Sequence, residues 1–166
     1  MEKRPELIRA AEAEAAFETH SHPWNPKSEV SGVQLARRCG LKRTGVSLAC
    51  LAPGRESFAY HSHEREEEWL YILSGTGTAE IDGEEHEVGP GDFMGFPTPS
   101  VAHHLRNSGD EPLVYLMGGE NLDAEVATFP RLGKRMVRVG GRAEIYDLDD
   151  ARPFGPLDAP GDDAAD

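Results

Sequence analysis

The sequence predicts an all-β domain, a sandwich or barrel of short strands. Three observations carry this. Runs of branched and aromatic residues such as Thr44–Leu51 recur at regular spacing between Gly- and Pro-rich turns. The run Glu68-Trp-Leu-Tyr-Ile-Leu places Glu68, Leu70 and Ile72 on one strand face and Trp69, Tyr71 and Leu73 on the other. Asp82-Gly83 separates Thr78–Ile81 from Glu85–Val88, and that dipeptide readily takes the positive φ angles of a tight hairpin. At 166 residues the chain fits one domain with a core of its own.

Residues 5–18 read as a helix, since Pro5 suits a first helical position, Glu6 the first turn, and alanine has the highest propensity. Its apolar stripe is modest, so residues 1–31 are expected to form a helix and arm that cover the domain. Thr19–Pro26 reads as a loop in which His20 and His22 face solvent and Trp24 plugs against the barrel.

Strands are expected at 32–35 and 44–51, the second with Val46, Leu48 and Cys50 on one face. The basic cluster of Arg37, Arg38, Lys42 and Arg43 between them reads as a solvated loop that balances the acidic excess. His86, between two glutamates on an alternating strand, is assigned to an exposed face. Further strands at 101–106, 112–117, 135–139 and 143–146 complete a barrel over 32–146.

From Asp147 the composition shifts to aspartate, proline and glycine, so 147–166 is read as an acidic tail that Phe154 and Leu157 pin in part. The strand at 68–73 is apolar on both faces and calls for a cover by the arms or by a second subunit. A homodimer is expected.

Seventeen Lys and Arg against thirty Asp and Glu give a net charge of −13, which disfavours nucleic acid and anionic membrane as partners. Cys39 and Cys50 form no CxxC and read as reduced thiols of a cytoplasmic protein. The sequence contains neither a run of about 18 apolar residues nor the basic-then-apolar layout of a signal peptide.

Chemistry concentrates between Gly54 and Asn107. His61 and His63, two apart on a strand, project from the same face. Glu68 enters an apolar wall, where an unpaired carboxylate is costly and a cation resolves the cost. A third imidazole some forty residues on would complete three nitrogens and one oxygen, a set suited to iron, manganese, nickel, zinc or copper and too rich in nitrogen for calcium or magnesium. His103 and His104 compete for that place, because adjacent strand residues face opposite ways.

At these residues the sequence resembles the cupin superfamily. The first cupin motif runs from a glycine through His-x-His and Glu to a second glycine, and His61, His63, Glu68 and Gly75 match it, with Gly54 preceding. Gly91, Pro97, His103 and Asn107 match the second motif, in which Pro99 stands where glycine is usual. Counting back from Asn107 selects His103 as the third histidine.

The segments Gly91-Asp-Phe-Met-Gly-Phe-Pro97, His103-His-Leu-Arg-Asn107 and Val114-Tyr-Leu116 resemble a group of small single-domain bacterial cupins of type 2, over about residues 41–120. The resemblance implies a jelly-roll, double-stranded β-helix barrel and one divalent transition metal per subunit on His61, His63, Glu68 and His103. It also implies a small-molecule ligand and a metalloenzyme of the dioxygenase, isomerase or lyase type. The alternative is a non-catalytic barrel that binds or senses a sugar or organic acid. Tyr60, Tyr71, Tyr115 and His104 are conceivable acid/base groups, although parity places Tyr60 and Tyr71 off the ligand face.

Overall fold

The computed structural model describes residues 5–153 and 155. Thirteen strands dominate them: β1 (Glu18–His20), β2 (Val30–Gln34), β3 (Thr44–Leu51), β4 (Ser62–His63), β5 (Glu68–Ser74), β6 (Gly77–Ile81), β7 (Glu84–Val88), β8 (Phe93–Phe96), β9 (His103–Arg106), β10 (Leu113–Glu120), β11 (Ala124–Phe129), β12 (Lys134–Val139) and β13 (Arg142–Asp147). Two short helices, α1 (Ala10–Glu14) and α2 (Leu35–Cys39), lie near the amino terminus.

A large antiparallel sheet has the order β1-β2-β3-β10-β5-β8. Two smaller sheets, β13-β12-β11-β4 and β7-β6-β9, meet at an antiparallel bridge between His61 and His103 and together form the second layer. Between the layers lies a core that includes Leu51, Ile72, Leu113 and Tyr115, all fully buried.

Parity explains the placement. Leu70 and Ile72 turn inward, as the alternation requires, while Tyr71 and Leu73 remain 39% and 42% exposed. Among the described residues nothing covers that outer face, and the amino-terminal helix packs against β2 instead. The β6–β7 hairpin forms as expected, with Asp82 and Gly83 at φ 52° and 80°. His86 is exposed.

Several expectations are corrected. The helix spans Ala10–Glu14 and not 5–18: a short alanine-rich helix gains little alone, and Glu18–His20 instead pairs with Val30–Gly32 on the sheet edge. His20 is exposed, but His22 is half-buried against Trp24, Phe58 and Phe129, with ring centroids 5.4, 6.4 and 5.6 Å away. Burial there lowers the His22 pKa. Trp24 does plug the domain, edge-on to Phe129.

Arg37 and Arg38 lie on α2 and not in a loop. On β3 the deeply buried residues are Ala49 and Leu51, so Val46, Leu48 and Cys50 form the outer face, against which α2 packs. Strand β11 was not foreseen. Leu148–Asp150 forms a 3-10 turn, and Phe154 and Leu157 lie outside the described residues.

Candidate metal centre

His61 and His63 flank the start of β4, Glu68 opens β5 and His103 opens β9. Their donor atoms all lie within 4.8 Å of one another and could hold a metal ion. Glu68 Oε2 is 3.1 Å from His63 Nε2, 3.1 Å from His103 Nε2 and 3.9 Å from His61 Nε2, and the Nε2 atoms of His61 and His63 are 3.1 Å apart. Neighbouring ligands on an octahedral ion with bonds of about 2.1 Å would be about 3.0 Å apart, so the set fits a transition metal.

Each ring is aimed from behind. His61 Nδ1 donates to the Ala59 carbonyl at 2.7 Å and His103 Nδ1 to the Val101 carbonyl at 3.1 Å, which places the proton on Nδ1 and leaves the Nε2 lone pair facing the centre. Phe96 stacks on His103, with centroids 3.7 Å apart and planes inclined by 8°, and Phe129 stacks on His61 at 5.9 Å. These contacts hold the imidazoles without competing for their nitrogens.

His63 has a different support. Its Nδ1 lies 3.4 Å from Oε1 of Glu125, a carboxylate only 1% exposed on the unforeseen β11. Glu125 accepts the backbone N–H groups of Glu64 at 3.1 Å and Glu66 at 2.7 Å, so the loop between His63 and Glu68 is folded around it. Glu66 completes a second acidic set with His63 and Glu125. Glu66, however, already holds Arg138 and the Leu122 N–H, which makes this set a support for the first and not a second centre. In the sequence Glu125 is one glutamate among many, and only the bridge of β11 to β4 gives it meaning.

The electrostatics favour an unprotonated nitrogen lone pair on one side and a fixed anion on the other. Burial pushes the His61 pKa down to about 4, so it is neutral at pH 7. Burial opposes the Glu68 charge, but hydrogen bonds from His103 and His63 outweigh it and hold the carboxyl well below its usual range. Burial also opposes the His63 charge, and Glu68 and Glu125 together overcome it and raise its pKa.

His104 sits on the opposite face of β9, 3.6 Å from Glu56 Oε2, with 9% of its side chain exposed. Burial lowers its pKa. Asn107 is structural: its amide donates to the Leu51 and Glu111 carbonyls, both at 2.8 Å, and its Oδ1 accepts the Gly109 N–H. Tyr71 faces outward and Tyr60 lies beneath the Arg131 guanidinium, 4.2 Å from its ring centre. Only Tyr115 among these tyrosines lines the small interior cavity beside Glu68 and His103, and its buried hydroxyl has no partner among the described residues.

The centre opens to the outside through a cavity of about 250 Å³. Strand register explains the opening. Glu68 pairs across with Gly119, and Gly119 with Gly45, so the row beside the ligand carboxylate carries no side chains on the next two strands. A Cβ on Gly119 would lie 2.5 Å from the Glu67 carbonyl oxygen, so that gap is built into the packing.

The cupin-domain profile matches residues 47–119. A candidate sugar phosphate isomerase from Acidithiobacillus ferrooxidans is 37% identical, with a TM-score of 0.84 over 88% of this chain and 94% of its own. A sugar phosphate isomerase of the cupin superfamily from Silicibacter pomeroyi shares the fold at 24% identity and a TM-score of 0.76, over 93% of this chain and 98% of its own. A candidate oxalate decarboxylase from Thermotoga maritima is 26% identical, with a TM-score of 0.60 over 70% of this chain and 99% of its own. No curated protein matches. Profile, relative and jelly-roll architecture agree that the chain belongs to the cupin superfamily.

Proposed function

We propose that the chain is a metal-dependent small-molecule enzyme of the isomerase type, acting on a sugar phosphate, with one divalent transition metal on His61, His63, Glu68 and His103. The observation that carries the reading is the convergence of these four donors within 4.8 Å at the base of an open cavity. Similarity to a candidate sugar phosphate isomerase at 37% identity supports the substrate class.

Iron, manganese, nickel, zinc or copper on this set would supply Lewis-acid polarisation of a carbonyl. The protein supplies position and charge. Glu68 stays ionised and His61 stays neutral, so the set offers a carboxylate and a free imidazole lone pair. The glycine row leaves room for a ligand to approach. Apolar walls of Leu70, Met94 and Phe96 limit water on the inner side.

The test combines elemental analysis of untagged protein with proton NMR of aldose and ketose phosphates incubated with it. About one equivalent of metal, lost in His61→Ala, together with interconversion of one such pair supports the proposal. Wild-type protein that neither carries nor takes up metal yet binds the sugar would replace it with the ligand-binding barrel.

We also propose that two copies pair through the outward face of β5 and β8, where Tyr71, Leu73 and Phe93 are exposed. Sedimentation equilibrium should give a dimer for the wild type and a monomer for Leu73→Glu.

A further inference from the structure

The mouth of the metal centre adjoins a larger groove along β1, β2 and β3, with a volume of about 590 Å³. Register shows the continuity. Leu70 pairs with Met117, Met117 with Ser47 and Ser47 with Gln34, so these four side chains form one row across β5, β10, β3 and β2, next to the row that starts at Glu68. Ser47, Met117 and Phe58 line both the mouth and the groove. Together the two spaces have the size of a small-molecule site.

The far wall of the groove is cationic. Arg37 and Arg38, consecutive on α2, both line it and both are exposed. In this acidic chain several guanidiniums are neutralised, among them Arg106 by Glu85, Arg131 by Glu80 and Arg138 by Glu66, whereas others, such as Arg43 and Arg65, have no ion pair among the described residues but do not line the groove. Neither Arg37 nor Arg38 has a carboxylate within 4.0 Å among the described residues, and the Arg37 guanidinium donates to the Gln34 amide oxygen at 3.4 Å. Glu18 also lines the groove, where it faces His20 at 3.6 Å on the edge strand. Two guanidiniums without anions beside a cavity offer the planar donor forks that suit a phosphate monoester.

The distances are commensurate with one ligand. Three strand spacings separate β5 from β2, about 14 Å. An extended arginine side chain spans about 6 Å, so the gap is on the scale of a five- or six-carbon chain ending in phosphate.

We propose that Arg37 and Arg38 form an anion subsite that takes the phosphate monoester of a substrate whose other end lies at the His61, His63, Glu68 and His103 cluster. The subsite rests on the sugar phosphate reading above and gives the basic pair on α2 a role in selecting phosphorylated over free sugars.

The test is calorimetric titration at about 0.15 M salt, where loose surface attraction is screened. Ribose 5-phosphate, ribose and inorganic phosphate are titrated into wild type, Arg37→Gln/Arg38→Gln, Arg55→Gln and His61→Ala. Wild type is expected to bind ribose 5-phosphate at least tenfold more tightly than ribose. The double variant should lose most of that preference with unchanged metal content and circular dichroism, while Arg55→Gln, outside the groove, keeps it. Retention of inorganic phosphate binding by a metal-free His61→Ala protein supports a subsite separate from the metal. The subsite is overturned if wild type shows no preference for the phosphorylated sugar, or if the folded double variant keeps it. A chain that selects phosphate through Arg37 and Arg38 but carries no metal would sink the metalloenzyme reading and leave the subsite standing.

Discussion

His61 and His103 exchange both backbone N–H···O hydrogen bonds, at 3.2 and 2.8 Å, and their imidazole centroids lie 4.8 Å apart. Residues paired in this way across antiparallel chains carry their side chains on the same face. The seam that joins the two smaller sheets is therefore also the floor of the candidate centre, and histidines 42 positions apart in sequence become neighbours through main-chain pairing.

That seam separates His103 from its neighbour. His103→Ala and His61→Ala should each lower metal content from about one equivalent to near none, while His104→Ala, changed on the far face of the same strand, keeps it. Elemental analysis of the three proteins checks this. Metal loss in the His104 variant alone would mean that β9 presents its other face.

Glu125 should matter to metal affinity through its support of His63. Glu125→Gln keeps only one of the two oxygens that accept the Glu64 and Glu66 N–H groups and removes the charge beside His63, and metal affinity should fall about 10- to 100-fold in a chelator competition. Glu125→Ala strands the Glu64 and Glu66 N–H groups and should cost about 2–4 kcal/mol in a denaturant titration. A Glu125→Ala protein as stable as wild type would show that this loop does not depend on the carboxylate.

Metal-free protein should weaken in mild acid. Above pH 6.5 His61 is neutral both folded and unfolded. Between pH 6.5 and about 4 only the unfolded chain takes its proton, so stability falls as the pH falls. Glu68 acts in the same direction: its folded pKa is depressed, so its contribution is present above the unfolded value and lost as pH falls through the folded one. His63, whose folded pKa is raised, acts the other way, with its contribution present at low pH and lost as pH rises. By pH 4.5 Glu68 has lost little of its contribution, so the His61 effect, about 2 kcal/mol on its own, governs the fall, and His63 offsets part of it. Thermal melts in chelator at pH 7 and 4.5 measure it, and an unchanged Tm would show that His61 is solvated when metal-free.

Tyr115→Phe deletes a buried hydroxyl without a partner among the described residues. Removing an unsatisfied polar group at constant shape should be neutral or stabilising by up to about 1 kcal/mol, in contrast to the usual cost of a core substitution. Chemical denaturation gives the sign. A loss above about 1 kcal/mol would mean that the hydroxyl holds a structural hydrogen bond.

The class of fold and the stretch where its chemistry gathers are legible in the residues alone. The inward parity of Glu68, Leu70 and Ile72, the Asp82-Gly83 hairpin and the shared face of His61 and His63 follow from local backbone periodicity, and local periodicity is written in the residues. Other features were decided only by tertiary structure. The stretch at Glu18–His20 is strand because an edge of β2 was available to pair with it, which overrode the helical preference of the residues before it. Glu125 became a support for His63 because β11 pairs with β4, and no spacing rule links residues 62 positions apart. Arg37 and Arg38 read as a solvated cluster and are indeed exposed, but only the fold sets α2 after β2 so that they line the groove beside the mouth of the centre. Periodicity assigns a side chain to a face, whereas long-range pairing decides what that face meets.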